Sequence, residues 1–188
     1  MGGNKNKWIW LAVGIIILLA YPFILTLPFP RHLMIMIFLY ATLGLAWNMI
    51  GGYAGQISLG HAVYFGAGAY ISTLMLMKLG VSPWVGMLVG GIFSVGISFI
   101  IGHPCFKLAG HYFAIATIAI GEIVQQWMRN WDWTGAAIGL TLPILPESLI
   151  NLEFHTTKVP YYYIAFGIFA LAILVTSWID RSKLGYYF

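Results

Sequence analysis

Six apolar runs, each close to the length that carries an α-helix across a bilayer, dominate this chain: Trp8 to Leu27, Leu33 to Ile50, His61 to Leu79, Trp84 to Gly102, His111 to Trp127 and Tyr161 to Ile179. A hydrocarbon core about 30 Å thick takes about 20 apolar residues as a helix, and only helices and closed barrels leave no backbone group unpaired inside it. The runs are continuous rather than alternating, which selects helices over barrel strands. The sequence therefore predicts an all-α integral membrane protein: one domain over residues 1–188, built as a polytopic bundle of about six transmembrane helices. Charged residues make up 7% of the chain, against roughly 25% in a soluble domain. A soluble enzyme is excluded on that ground.

The breaks between runs contain Pro28 with Pro30, a glycine-rich stretch, Lys78 with Pro83, and Pro104 with Lys107. Such residues interrupt a helix or are costly in hydrocarbon. With the N-terminus in the cytoplasm, Lys5, Lys7, Lys107, Arg181 and Lys183 fall inside, and Arg31, Lys78, Arg129 and Lys158 outside. Paired basic residues at both chain ends, and Asp132, Glu147 and Glu153 in the loop 130–160, favour the same orientation. Both termini are expected in the cytoplasm and that loop outside. Within the loop, Pro146-Glu147-Ser148-Leu149-Ile150 reads as the start of a short interfacial helix. The first run is longer than the ~7–15-residue core of a secretory signal and no A-x-A site follows it, so it reads as a retained span.

The basic residues are scattered along the chain rather than clustered, so they suggest loop anchors and not a nucleic-acid surface. Cys105 is the sole cysteine, which leaves no intrachain disulfide, and no paired Cys/His spacing suggests a metal or cofactor site. No phosphate loop, H-E-x-x-H or G-x-S-x-G motif occurs, so if ATP drives this protein, another chain binds it.

Gly86, Gly90, Ser94, Ser98 and Gly102 recur every four residues, a spacing that lets helix backbones approach closely. Ser58, Ala62 and Gly66 continue the pattern in the preceding run. The rings of Trp127, Trp131 and Trp133, and of Tyr161 to Tyr163, suit a membrane interface. Glu122 is the one acid inside a predicted span, where a charge costs about 2.5 to 3.5 kcal/mol at mid-membrane. It shares a helix face with Gln125, Gln126 and Arg129, as a proton relay or as a structural acid near the external end. His61 and His111 each open a span.

The most polar and flexible stretch lies between the second and third runs: Ile50-Gly51-Gly52-Tyr53-Ala54-Gly55-Gln56-Ile57-Ser58-Leu59-Gly60-His61. Glycine-interrupted backbone at membrane depth survives where it is buried in protein or lines a wet cavity, and broken helices present backbone groups to solutes. An ordinary loop explains the glycines; a pathway-lining break also explains the company of Asn48, Gln56 and Ser58. The residues alone leave both open.

Trp47-Asn48-Met49-Ile50-Gly51-Gly52-Tyr53-Ala54-Gly55-Gln56-Ile57-Ser58-Leu59-Gly60-His61-Ala62 resembles the signature of the branched-chain amino acid ABC transporter permeases, closest to the LivM type. Gly110-His111-Tyr112-Phe113-Ala114-Ile115-Ala116-Thr117-Ile118-Ala119-Ile120-Gly121-Glu122-Ile123 is similar to a second block of that family, and Trp133-Thr134-Gly135-Ala136-Ala137-Ile138-Gly139-Leu140 to a third. Ala136 stands where the family usually has glycine.

The resemblance implies a permease of the cell inner membrane that works with a second, LivH-like permease subunit, two cytoplasmic ATPase subunits and a periplasmic substrate-binding protein. It implies a translocation pathway at Asn48, Gly52, Gln56, Ser58, His61, Thr117 and Glu122, with a glycine-rich broken segment after the second span. Family members continue past Arg181-Ser182-Lys183-Leu184-Gly185 through a basic segment that contacts the ATPase. The chain is thus expected to be truncated relative to the family. The alternatives are a urea or short-amide permease, a non-functional fragment, and a proton-coupled carrier using Glu122.

Overall fold

The computed structural model describes residues 3–108 and 110–182, with side chains described from Ile9 onward except that of Leu11. Lys183 and the rest of the basic segment singled out above lie outside the described residues. Among the described residues six α-helices follow one another: α1 (Gly3–Ile24), α2 (Pro28–Asn48), α3 (His61–Leu79), α4 (Pro83–Cys105), α5 (His111–Asn130) and α6 (Val159–Arg181). A π-helical turn over Met49–Tyr53 extends α2, and a 3-10 turn over Asp132–Thr134 follows α5. Among the described residues, four stretches are long and apolar enough to cross a membrane: Pro28–Tyr53, His61–Leu79, Pro83–Cys105 and Val159–Arg181. A shorter apolar stretch of α1, Ala12–Ile24, is also present. The outer surface is correspondingly apolar, with Ile92, Phe99 and Ile100 about three-quarters exposed (74%, 75% and 76%). This is a multi-pass, all-helical membrane protein.

Prolines begin helices more often than they end them. Pro28 and Pro30, expected as breaks, sit in the first turn of α2, and Pro83 opens α4. A first-turn proline costs no helical hydrogen bond, because those N–H groups have no partner in any case. The break itself is Leu25–Leu27.

The helices form two compact units. The first comprises the chain through Gly44 together with Phe154–Ser177. Its core is aromatic: Phe38 of α2 packs against Tyr162, Phe166 and Phe169 of α6, with centroids 5.3, 5.5 and 5.5 Å away. Tyr162, one of the rings expected to suit a membrane interface, is 0% exposed. The reason lies in α1. Pro22 has no N–H, so the Leu18 carbonyl four residues earlier loses its helical donor. The Tyr162 hydroxyl donates to that carbonyl at 2.7 Å, and Tyr163 donates to the Leu19 carbonyl at 2.8 Å. Arg31, expected only as a loop anchor, donates through Nε to the carbonyls of Pro22 (3.1 Å) and Leu25 (3.0 Å) and through Nη2 to Pro22 (2.6 Å). These are among the carbonyls that a helix C-terminus leaves unpaired.

The second unit comprises Leu45–Glu153 and the chain from Trp178. Its frame is the α3–α4 hairpin, turned at Gly80 with φ 62°. A Cβ on Gly90 would lie 2.6 Å from the Gly68 carbonyl oxygen, and one on Gly86 2.7 Å from Ser72 Oγ. Ser94 Oγ donates at 2.9 Å to the carbonyl of Tyr64 or of Gly90. The α3 face turned to α4 is therefore Tyr64, Gly68 and Ser72, while the small residues Ser58, Ala62 and Gly66 lie elsewhere. Helix α3 begins only at His61, which leaves Ser58 off the helix, and nothing lies within 4 Å of a Cβ built on Gly66. Further along α4, Ser98 turns its hydroxyl back to Val95 O and Gly102 makes room for the Phe106 ring.

The segment after α5 is fastened to the α3–α4 turn. Lys78 Nζ sits 3.6 Å from the centroid of Trp133, Ser82 Oγ donates to Ile150 O at 2.5 Å, and Trp84 Nε1 donates to Leu149 O at 2.7 Å. The helix expected from Pro146 to Ile150 does not form. Ser148 and Glu153 pair through their backbones, Ser148 Oγ accepts from the Asn151 N–H at 3.0 Å, and Asn151 Nδ2 donates to Pro146 O at 3.2 Å. Ser and Asn side chains offer the backbone local bonds that compete with helix.

Candidate functional site

The segment between α2 and α3 is built from its ends inward. At Asn48 the α-helix widens into the π turn, a rare geometry that recurs at functional sites. The indole of Trp47 lies over Gly51, where a Cβ would come within 3.1 Å of the ring, and the Asn48 side-chain oxygen fills the space a Cβ would need at Gly52. From Ala54 to Gly60 the chain is non-helical, with Gly55 at φ 63° and the Gln56 N–H donating back to Ile50 O at 3.2 Å.

Two side chains hold this stretch in place. Trp47 Nε1 donates to the Ser58 carbonyl at 2.7 Å. Thr117, from the buried face of α5, accepts the Leu59 N–H on Oγ1 at 3.1 Å and donates to Ala114 O at 2.9 Å. Gly60 lies directly against it, since a Cβ there would be 2.9 Å from the Thr117 carbonyl oxygen. Ser58 and Thr117 are 4% and 5% exposed, so the segment is packed into protein at Ser58 and Gly60, while Gly55, Ile57 and Leu59 stay exposed.

Two polar atoms are left over. Gln56 Oε1 and His61 Nδ1 are sealed from water and have no hydrogen-bond partner among the described residues. The His61 ring meets Tyr64 edge to face, centroids 6.2 Å apart. A buried acceptor without a donor costs about 1–3 kcal/mol.

The structure thus gathers Asn48 and Gly52 at one end of the segment and Ser58 and Thr117 at the other, with Gln56 and His61 beside them. Glu122 is not brought to this cluster. Five residues beyond Thr117, it lies about 140° round α5 at 3.6 residues per turn, exposed alongside Gln125, Gln126 and Arg129. Trp47 and Gly60 belong to the site although neither was assigned a role from sequence. Both stand inside the quoted motif, but an indole opening it carries no local signal of a bond eleven residues later.

Fold and site together define a class: multi-pass membrane proteins in which two spanning helices are joined by packed, non-helical backbone. Residues 30–188 match the family described as "Branched-chain amino acid transport system / permease component", and the chain belongs to that family. It is 28% identical over 157 residues to the high-affinity branched-chain amino acid transport system permease protein LivM of Escherichia coli (strain K12), covering 83% of this chain and 36% of that protein. It is 30% identical over 154 residues to the protein of the same name from Salmonella typhimurium (strain LT2), covering 81% and 36%. The matched region is thus just over a third of these relatives' length. No solved structure matches the chain.

Proposed function

We propose that this chain is a transmembrane permease subunit of an ABC importer that moves branched-chain amino acids across the inner membrane, driven by ATP hydrolysis on separate subunits. The observation that carries the reading is the family match over residues 30–188, which includes the packed non-helical segment from Ala54 to Gly60. The partners are a second, related permease subunit, two cytoplasmic ATPase subunits and a periplasmic substrate-binding protein. Both ends of the chain face the cytoplasm and the loop 130–160 faces outward. Contacts of Lys78, Ser82 and Trp84 with Trp133, Ile150 and Leu149 support a common side for that loop and the α3–α4 turn.

In this reading Asn48, Gly52, Gln56, Ser58, His61 and Thr117 line or support the translocation route. Trp47 and Thr117 hold the segment, and Gln56 Oε1 and His61 Nδ1, buried and unpaired here, become available to the solute when the segment opens. Rocking of helices around the route gives alternating access. The test is uptake of labelled leucine into proteoliposomes holding the complete transporter and its binding protein. Accumulation that requires enclosed ATP supports the reading. Accumulation driven by a proton gradient and lost in Glu122→Gln would replace it with a proton-coupled carrier, and uptake of urea without leucine with an amide permease.

A further inference from the structure

The chain from Trp133 to Pro146 carries no charge. An apolar stretch of about 10–14 residues is too short to cross a bilayer and suits a segment that dips in and returns. Both ends of this one are pinned at the level of the α3–α4 turn. Lys78 lies over Trp133 at the first, and Ser82 and Trp84 bond the carbonyls of Ile150 and Leu149 just past the second. Between the pins the chain leaves that level. Leu140 and Leu142 share the walls of an open groove of about 190 Å³ with Ala69, Tyr70 and Thr73. At 1.5 Å per residue those three residues stand roughly 9 to 15 Å along α3 from its end at Leu79, well inside a helix long and apolar enough to span. The segment therefore descends along α3 and climbs back.

Its local structure fits that course. The turn that starts the descent is braced: Thr134 is 1% exposed, its hydroxyl 2.7 Å from the carbonyls of Met128 and Trp131. Gly135, at φ 79°, accepts from the Ile138 and Gly139 N–H groups at 3.1 Å each. Beyond the turn, residues 139–146 are neither helix nor strand. Among the described residues, the N–H groups of Leu140, Thr141, Leu142 and Ile144 find no protein acceptor, and Pro143 and Pro146 carry no N–H to satisfy. Thr141, Leu142 and Ile144 are exposed. Exposed backbone of this kind cannot face hydrocarbon; at membrane depth it survives inside protein or against water.

We propose that residues 139–146 form a re-entrant segment that walls, with α3, a water-filled vestibule reaching down to Ala69–Thr73. Water satisfies the N–H groups that neither lipid nor the neighbouring leucines can. The vestibule leaves roughly 12 Å of α3, from Ala69 to His61, between its floor and the glycine-rich link. The inference rests on α3 and α4 spanning the membrane and on no substrate.

The experiment places single cysteines in a Cys105→Ser background of the full-length protein in its membrane, and adds a charged, membrane-impermeant thiosulfonate from each side in turn. Thr73→Cys and Thr141→Cys should react from the side on which Ile138→Cys, at a 95% exposed position, reacts. Ile92 stands about 14 Å along α4 from Pro83, at a similar depth but 74% exposed on the outer surface. Ile92→Cys should react at least about a hundredfold more slowly than Thr73→Cys, because the reagent attacks the thiolate and hydrocarbon suppresses that form. A short bifunctional thiosulfonate should join the two cysteines of Thr73→Cys/Leu142→Cys, and Ala69→Cys/Leu140→Cys repeats the test on a second pair. Thr73→Cys reacting no faster than Ile92→Cys, or only from the opposite side, overturns the vestibule, because lipid or another protein chain then fills the groove. Cross-links in neither pair, with the single cysteines reactive, overturn the re-entrant course and leave the loop outside the membrane.

Discussion

Tyr162 and Pro22 show how a single hydroxyl makes a helix-breaking residue tolerable inside a membrane protein. The Leu18 carbonyl that Pro22 deprives of a donor is bonded by Tyr162 at 2.7 Å, and removing that bond leaves a buried acceptor unpaired. Tyr162→Phe should cost about 1–3 kcal/mol of stability, measured by denaturant unfolding in detergent. In a Pro22→Ala background the same change should cost less, because the restored N–H supplies the donor. Equal costs in both backgrounds would mean that the tyrosine acts through packing alone. Ala136 is the opposite case: at φ 49° it occupies the left-handed region without being glycine, at a cost of about 1–2 kcal/mol. Ala136→Gly should therefore raise the melting temperature, whereas a fall would show that lost chain entropy outweighs the strain.

At the scale of elements, the α3–α4 hairpin and the α2–α3 break depend on close backbone approach. Gly90→Ala drives a methyl into the Gly68 carbonyl and should destabilise by about 1–3 kcal/mol, the usual range for overpacking. Gly96→Ala, with nothing within 4 Å of its new methyl, is the control and should be neutral or stabilising by up to about 1 kcal/mol, because alanine favours a helix interior over glycine. A similar loss in both would show that the approach to Gly68 is not its cause. For the break, Thr117→Val keeps the shape of the side chain and removes the acceptor for Leu59 N–H. The packed segment should loosen, and leucine uptake should fall while Thr117→Ser retains it. Equal loss in both would assign the role to the Thr117 methyl and not to its oxygen.

Elements of this kind were largely legible in the sequence. Continuous apolar runs mark α2, α3, α4 and α6 within a few residues, because hydrophobic length is set by the bilayer and needs no tertiary knowledge. The glycines and polar residues of the α2–α3 link marked a special connection for the same reason. What escaped were pairings between residues far apart in sequence. Nothing local tells that Tyr162 serves a carbonyl on α1, that Thr117 and Gly60 meet, or that Glu122 points away from both. The loop helix expected at Pro146 failed because Ser148 and Asn151 bond their own backbone, a competition that a first-turn pattern does not reveal.

On the scale of the whole molecule, the account joins a membrane bundle, a packed break and a family of transport permeases into one claim: the solute passes the segment between α2 and α3. That claim makes the segment wet during transport, including Ser58 and Gly60, which are buried in this structure. Gln56, with its unpartnered side-chain oxygen, is the residue on which to test it. In the complete transporter, with Cys105→Ser and Gln56→Cys, a membrane-impermeant thiol reagent should react during ATP-driven turnover and block leucine uptake, and excess leucine should slow the reaction. A Gln56→Cys transporter that takes up leucine normally and stays unreactive to reagent from either side of the membrane would contradict the account.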